Sequence, residues 1–161
     1  MTRMHARSAL LLAVPLLLAI AIAAPALAQV PLPAGQNPCG ALTVRAGQTE
    51  GAFTPGERID FTVAVRIAQG NGLDADVRLT PQLPSGWRAD PPNLSFAAVT
   101  TQEQSATFSV TAPGDLAANA PPQTLTITSV YSCNANLPQT RQPVQQNVPG
   151  PQTSITLKAR A

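Results

Sequence analysis

The sequence predicts an all-β protein, an antiparallel immunoglobulin-like β-sandwich of about seven strands. Three observations carry this. Apolar residues recur at every second position in stretch after stretch. Proline and glycine cut the chain between those stretches, with 17 and 10 respectively in 161 residues. No segment keeps a sustained helical repeat. Short alternating strands punctuated by turn residues are the pattern of a sandwich.

Leu42 and Val44 mark a first strand. Thr54-Pro55-Gly56 then supplies a turn. The clearest strand follows, with Ile59, Phe61, Val63, Val65 and Ile67 on one face and Asp60, Thr62 and Arg66 on the other. A period of two over that length is a strand with one face on a core. Gln69-Gly70-Asn71-Gly72 breaks it. Val77, Leu79 and Leu83 set the third strand, ended by Pro84-Ser85-Gly86. Asp90-Pro91-Pro92-Asn93 is another turn before Leu94 and Phe96. Ala106, Phe108 and Val110 form the fifth strand, stopped by Pro113-Gly114-Asp115. Residues 115–120 could close one helical turn. Leu125, Ile127, Tyr131 and Cys133 share a phase in the sixth strand, and Ile155 and Leu157 mark the seventh.

One segment has no strand pattern. Residues 134–151 hold four prolines, four glutamines and three asparagines. Leu137, Val144 and Val148 are its only larger aliphatics. It is expected to be a long loop extending from one end of the sandwich. Arg141 is its only charge and the expected anchor if this loop binds a partner.

The first 28 residues read as an export signal. Arg3 and Arg7 precede an apolar run from Ala9 to Ala24, and Ala26 and Ala28 give an A-x-A cleavage pattern. The run falls short of the roughly 20 residues that a membrane-spanning helix needs. Arg3 and Arg7 are not adjacent, and no cysteine lies at the cleavage point, so neither a twin-arginine signal nor a lipid anchor is indicated. Cutting after Ala28 leaves 133 of the 161 residues, with no membrane span. Residues 29–40, with Pro31, Pro33 and Pro38, form an extended lead-in, and residues 41–161 form the domain. The expected location is secreted, periplasmic or at the cell envelope.

Cys39 and Cys133 are the only cysteines. An even count in an exported chain reads as one disulfide. Closing a loop of that length stabilises the fold by about 4 kcal/mol in the chain-entropy picture. No Cys-x-x-Cys occurs, so zinc and thiol-redox chemistry have no support.

Charge and composition exclude more. The signal takes with it two of the ten Lys+Arg and none of the eight Asp+Glu, so the remaining chain is balanced at zero. Nothing electrostatic then favours nucleic acid. The only histidine, His5, lies in the signal. That removes Ser-His-Asp, Cys-His and His-metal chemistry, and with it the usual routes to an enzyme. Glu57 and Asp60 are close in sequence but stand at a strand start, where charges are ordinarily solvated. Asn71, Asp74 and Asp76 offer three oxygen ligands, too few for a calcium loop, and read as a solvated hairpin tip. Asn93-Leu94-Ser95 matches a glycosylation sequon. No cofactor and no metal is expected.

Leu83-Pro84-Ser85-Gly86-Trp87, then Leu94-Ser95-Phe96, then Ala106-Thr107-Phe108-Ser109-Val110-Thr111-Ala112-Pro113 stand in a recognisable order. It resembles the alpha-galactosidase-associated (NPCBM-associated) Ig-like domains of bacteria and archaea. There a strand ends in a Leu-Pro-x-Gly-Trp turn, and a later strand ends in a Val-x-x-Pro step. Thr54-Pro55-Gly56-Glu57 is similar to the turn that opens the first long strand in those domains. The resemblance covers about Phe53 to Cys133 and implies an accessory module with no catalytic residues to carry over. The chain departs from that setting by following directly on a signal, by its Pro/Gln/Asn segment and by its cysteine pair.

Two aromatic residues compete for a role. Trp87, the sole tryptophan, is either a sugar-stacking platform or a core plug where the chain leaves its sheet. Tyr131, two residues before Cys133, echoes the tyrosine corner of immunoglobulin domains. The expected function is a non-enzymatic module that binds an envelope or secreted protein, by strand addition at a sheet edge or through the 134–151 segment. The alternative is binding of carbohydrate or cell-wall polysaccharide, which would need Trp87 or Tyr131 exposed beside polar groups; the candidate binding residues are thus Trp87 for a sugar and Arg141 for a protein partner.

Overall fold

The computed structural model describes residues 38–70, 72–117, 119–137 and 140–160. The expected export signal and all but the last three residues of the expected lead-in lie outside the described residues. The domain is all-β, with ten strands in two sheets of four and six. In chain order these are β1 (Leu42–Ala46), β2 (Glu50–Phe53), β3 (Arg58–Ile67), β4 (Leu73–Gln82) and β5 (Arg88–Asp90). Then come β6 (Leu94–Val99), β7 (Gln104–Thr111), β8 (Gln123–Leu137), β9 (Thr140–Pro149) and β10 (Thr153–Ala159). The smaller sheet runs β1-β3-β7-β5. The larger runs β2-β10-β8-β4-β6, and β9 also pairs with β8.

The seven strands read from alternation are all present. Their inward residues make one core: Phe61, Val63, Val65, Val77, Leu79, Phe96, Phe108, Val110, Leu125, Ile127, Ile155 and Leu157 are buried, from both sheets. The expected count of about seven is corrected to ten, and each missed strand has a reason. β2 puts Gly51 where an inward side chain would be. A Cβ there would lie 2.8 Å from the Phe61 ring and 3.3 Å from Leu157 Cδ2, so the strand shows only one apolar inward residue, Phe53. β5 is three residues long and mostly exposed. The third, β9, sets only Val148 against the core and shows no apolar alternation.

β2 also corrects the expectation of a wholly antiparallel domain. β1 pairs antiparallel with β3, but β2, just after it in the chain, pairs parallel with β10 in the other sheet. The chain crosses between sheets over Gly47-Gln48-Thr49. Residues 115–117, 119 and 120 are turn and irregular chain rather than a helical turn.

The largest correction falls on residues 134–151. They are not a loop projecting from one end. The first four complete β8, and 140–149 are β9, lying antiparallel along β8 from Val130↔Pro149 to Leu137↔Thr140. β10 then continues along the same side of β8, from Thr153↔Ile127. The two successive strands are joined at Gly150, whose N–H donates to Ser129 O at 2.9 Å. A Cβ at Gly150 would collide with Ser129 Oγ and lie 2.9 Å from Leu42 Cδ2, so only glycine fits the join.

Cys39 and Cys133 form the expected disulfide, with Cα atoms 5.8 Å apart. Both are fully buried. Cys39 lies ahead of β1 in the smaller sheet and Cys133 on β8 in the larger, so the bond ties one layer to the other at the root of the hairpin.

Candidate functional site: a groove beside a locked hairpin

Residues of β4 and β8 at even positions face away from the core. On this outer face the side chains of Asp74 and Asp76 on β4 stand opposite Asn134 and Ser132 on β8. Arg141 reaches over from β9. Its Nε lies 3.0 Å from Asp74 Oδ1 and 3.2 Å from Oδ2. Its Nη1 donates to Asp76 Oδ2 at 2.8 Å and its Nη2 to Asp76 Oδ1 at 2.7 Å, and Nη2 also donates to Asp74 Oδ1. Asn136 Nδ2 adds a bond to Asp74 Oδ2 at 2.6 Å, and Asn134 Nδ2 one to Asp74 Oδ1 at 3.2 Å.

The physics of this cluster is compensation. Asp74 is only 2% exposed. Burial pushes its carboxyl up, but hydrogen bonds from Arg141, Asn136 and Asn134 outweigh that and hold it below its ordinary value. Hydrogen bonds from Arg141 do the same for Asp76 against a smaller cost of burial. The pair raises the guanidinium in turn. A forked guanidinium across two carboxylates is a strong and directional arrangement. It explains why a segment rich in Pro, Gln and Asn is held as a strand.

Arg141 is therefore not a free anchor for a partner. The expectation is corrected: its guanidinium is spent on Asp74 and Asp76, and its job is to hold β9 down. The same pairing occupies the carboxylates once weighed for calcium, while Asn71 lies outside the described residues. Trp87 is the core plug of the two readings, and its candidacy as a sugar platform is corrected. It is buried and packs edge-on against Phe53, ring centroids 4.7 Å apart at 83°. Tyr131 sits inside β8 rather than at a strand start, and it is buried, which raises its phenol. Neither ring offers a face to a sugar. Glu57 accepts from Thr54 N at 2.6 Å and pairs with Arg160 at 3.1 Å, while Asp60 accepts from Ser109 Oγ at 2.6 Å, so the two acids serve separate local bonds. Asn93 accepts from Thr80 Oγ1 at 2.9 Å.

Next to the Arg141 cluster the outer face is concave. A groove of about 360 Å³ runs between β6, β4, β8 and the end of β9, lined by Asp76, Arg78, Ser95, Val130, Ser132 and Asn147 among others. The strand registers place Pro149, Val130, Arg78 and Ser95 in one row across four strands. Val130 is 42% exposed, and the only other exposed large hydrophobic among the described residues is Val144, also in the hairpin. Arg78 is exposed and takes no ion-pair or hydrogen-bond partner among the described residues. The sequence does carry a trace of this site: Val130 is the one aliphatic out of phase among Thr126, Thr128 and Ser132. Arg78 gave no signal of its own. A second depression, of about 460 Å³, lies among the turns at Gly56, Gly86 and Pro113–Asp115.

Two edge strands of the larger sheet, β9 and β6, are guarded. β9 carries Pro143 and Pro149, two register shifts against β8, and Asn147 at a φ of 54°. β6 carries Ala98 at a φ of 52°, and Gln104 Nε2 caps the carbonyls of Ala97 and Ala98 at 3.3 and 3.2 Å. Prolines and bulges of this kind block the addition of a further strand.

Among the described residues no helix is long and apolar enough to cross a membrane, and no group of three or more metal-ligating side chains occurs. No family model matches the chain, and no curated protein matches it. Among solved structures the chain is similar to AvmM, which catalyzes macrocyclization in alchivemycin A biosynthesis. That match has 12% identity and a TM-score of 0.46, and covers 74% of this chain and 90% of that one. At that score the likeness carries no argument about function.

Proposed function

We propose that this chain is an exported, non-enzymatic Ig-like sandwich that acts by binding a protein partner in the envelope or outside the cell. The leader and the cysteine pair support export. The strand order supports the Ig-like reading: β1-β3-β7-β5 opposite β4-β8-β10 follows the two-sheet pattern of a constant-type immunoglobulin domain, with β2, β6 and β9 added. The resemblance to the alpha-galactosidase-associated domains points the same way, toward an accessory module.

The observation that carries the binding role is the groove beside Val130. It is the place on the outer face of the larger sheet where an aliphatic side chain and an unpaired cation are both open to solvent. With β6 and β9 guarded on either side of the groove, a partner at this place would dock on the face rather than add a strand beside it. The carbohydrate alternative would have to do without a stacking ring, since Trp87 and Tyr131 are buried.

The test is site-specific photo-cross-linking in intact cells. A photoreactive residue at Ser95, in the groove, is compared with one at Thr107, on the outer face of the smaller sheet. Ser95 should give a discrete protein adduct that Thr107 does not, and Val130→Gln should remove it. Equal adducts at both positions, or none at Ser95, would refute the proposal.

A further inference from the structure

We infer, resting on the reading of the groove as a partner site, that its occupant is an extended protein segment carrying a carboxylate side chain close to an aliphatic one. The argument begins with charge. Two charged side chains line the groove, Asp76 and Arg78. Asp76 is already matched by Arg141, at 2.7 and 2.8 Å. Arg78 is matched by no side chain among the described residues. The groove therefore presents one uncompensated guanidinium, whose planar fork fits a carboxylate with two parallel hydrogen bonds.

Geometry supplies the second half. Val130 is directly opposite Arg78 in the β4–β8 register, and Ser95 is opposite Arg78 on the other side. Opposed Cβ atoms in an antiparallel pair lie about 5 Å apart. Side chains two residues apart on an extended segment lie about 6.6 Å apart on one face. Such a segment can set an aliphatic group on Val130 and Pro149 while its carboxylate meets Arg78, with Ser95 as a further hydrogen-bond partner. A neutral sugar would leave Arg78 unmatched, and nucleic acid would find one cation where it needs several.

The test is selection of random twelve-residue peptides displayed on phage. The bait is protein expressed from the full chain and purified with its disulfide intact. Arg78→Gln and Val130→Gln are run in parallel. Both positions are exposed, so both variants should melt with the wild type. Peptides enriched on the wild type should pair Asp or Glu with Leu, Ile or Val within two residues, and the acidic preference should vanish on Arg78→Gln. Replacing Glu by Gln in a selected, end-capped peptide should weaken binding roughly tenfold on the wild type and hardly at all on Arg78→Gln. Peptides that need Val130 but show no acidic preference, or keep it on Arg78→Gln, would overturn this inference and leave the groove as a partner site. Failure to enrich any peptide that needs Val130 would overturn both. Binding of oligogalacturonate in the groove with no peptide selected would overturn the protein occupant in favour of an acidic glycan.

Discussion

The β3–β7 pair and the β8–β9 hairpin are both antiparallel ladders, and they are held by different physics. β3 and β7 pair over eight positions without a register shift. One face of that ladder is core: Phe61 and Phe108 pack with ring centroids 5.8 Å apart, beside Val63, Val65 and Val110. The hairpin shifts register twice, and every residue of β9 is exposed except half-buried Gln145 and Val148. It is held by one guanidinium across two carboxylates and by a disulfide at its root. Burial orders the first ladder. The second shows that a strand with little apolar burial, Val148 alone against the core, can be ordered with the help of a charged side chain that satisfies a buried acid beneath it.

The sharpest way to break this comparison is to remove the apolar contribution from the first ladder. Phe61→Ala should cost about 4 kcal/mol in urea unfolding, since it deletes a fully buried ring from a packed core. A cost below about 1 kcal/mol would show that the β3–β7 pair does not rest on burial. The disulfide comes next. Replacing both Cys39 and Cys133 by Ala should cost up to about 4 kcal/mol, the chain-entropy value for this loop. Amide exchange should quicken first along β8 and β9, and uniform quickening across both sheets would mean the bond is not specific to the hairpin root.

The smallest effect belongs to the clamp. Arg141→Met leaves Asp74 buried beneath a side chain that cannot pair with it. The penalty for breaking a fully buried pair is discounted here because the Arg141 side chain is 38% exposed, which leaves about 2 kcal/mol. Exchange protection should fall in β9 and stay unchanged in β3 and β7. The pH dependence has a definite sign. Asp74 and Asp76 are held below the ordinary value of 3.8, so the unfolded chain binds more protons than the native one as the medium acidifies. Their stabilisation is complete at neutral pH and drains away as the pH falls through 3.8 and below. The stability gap between wild type and Arg141→Met should therefore shrink on acidification. A gap that widens would show that the clamp does not act through these carboxylates.

Much of the fold was legible because alternation reports burial directly. Phe61, Val63, Val65 and Ile67 keep period two, and so do Leu125 and Ile127, because each strand has one dry face. The same logic hid β2, where Gly51 makes room for the Phe61 ring and shows no side chain. It hid β9, most of whose residues face water, with only Val148 against the core. The site was less legible. Val130 stands out of phase in a Thr/Ser row, which marks an apolar residue on the wet face. Arg78 reads in sequence as one more solvated charge, since nothing local says that Val130 and Ser95 flank it.

By itself the sequence determined the strands that bury apolar side chains, the turns between them and the means for a cross-link at Cys39 and Cys133. These depend on local periodicity, on the backbone limits of proline and glycine, and on residue identity. Only the tertiary structure decided the fate of residues 134–151. Asp74 and Arg141 lie 67 residues apart, and neither dictates a strand alone. Leaving Asp74 covered and unpaired would be costly, so the acid and Arg141 on β9 hold each other in place, while the β8–β9 ladder orders the rest of the segment. The groove follows from the same step, since its wall is the end of the strand that this pairing holds in place.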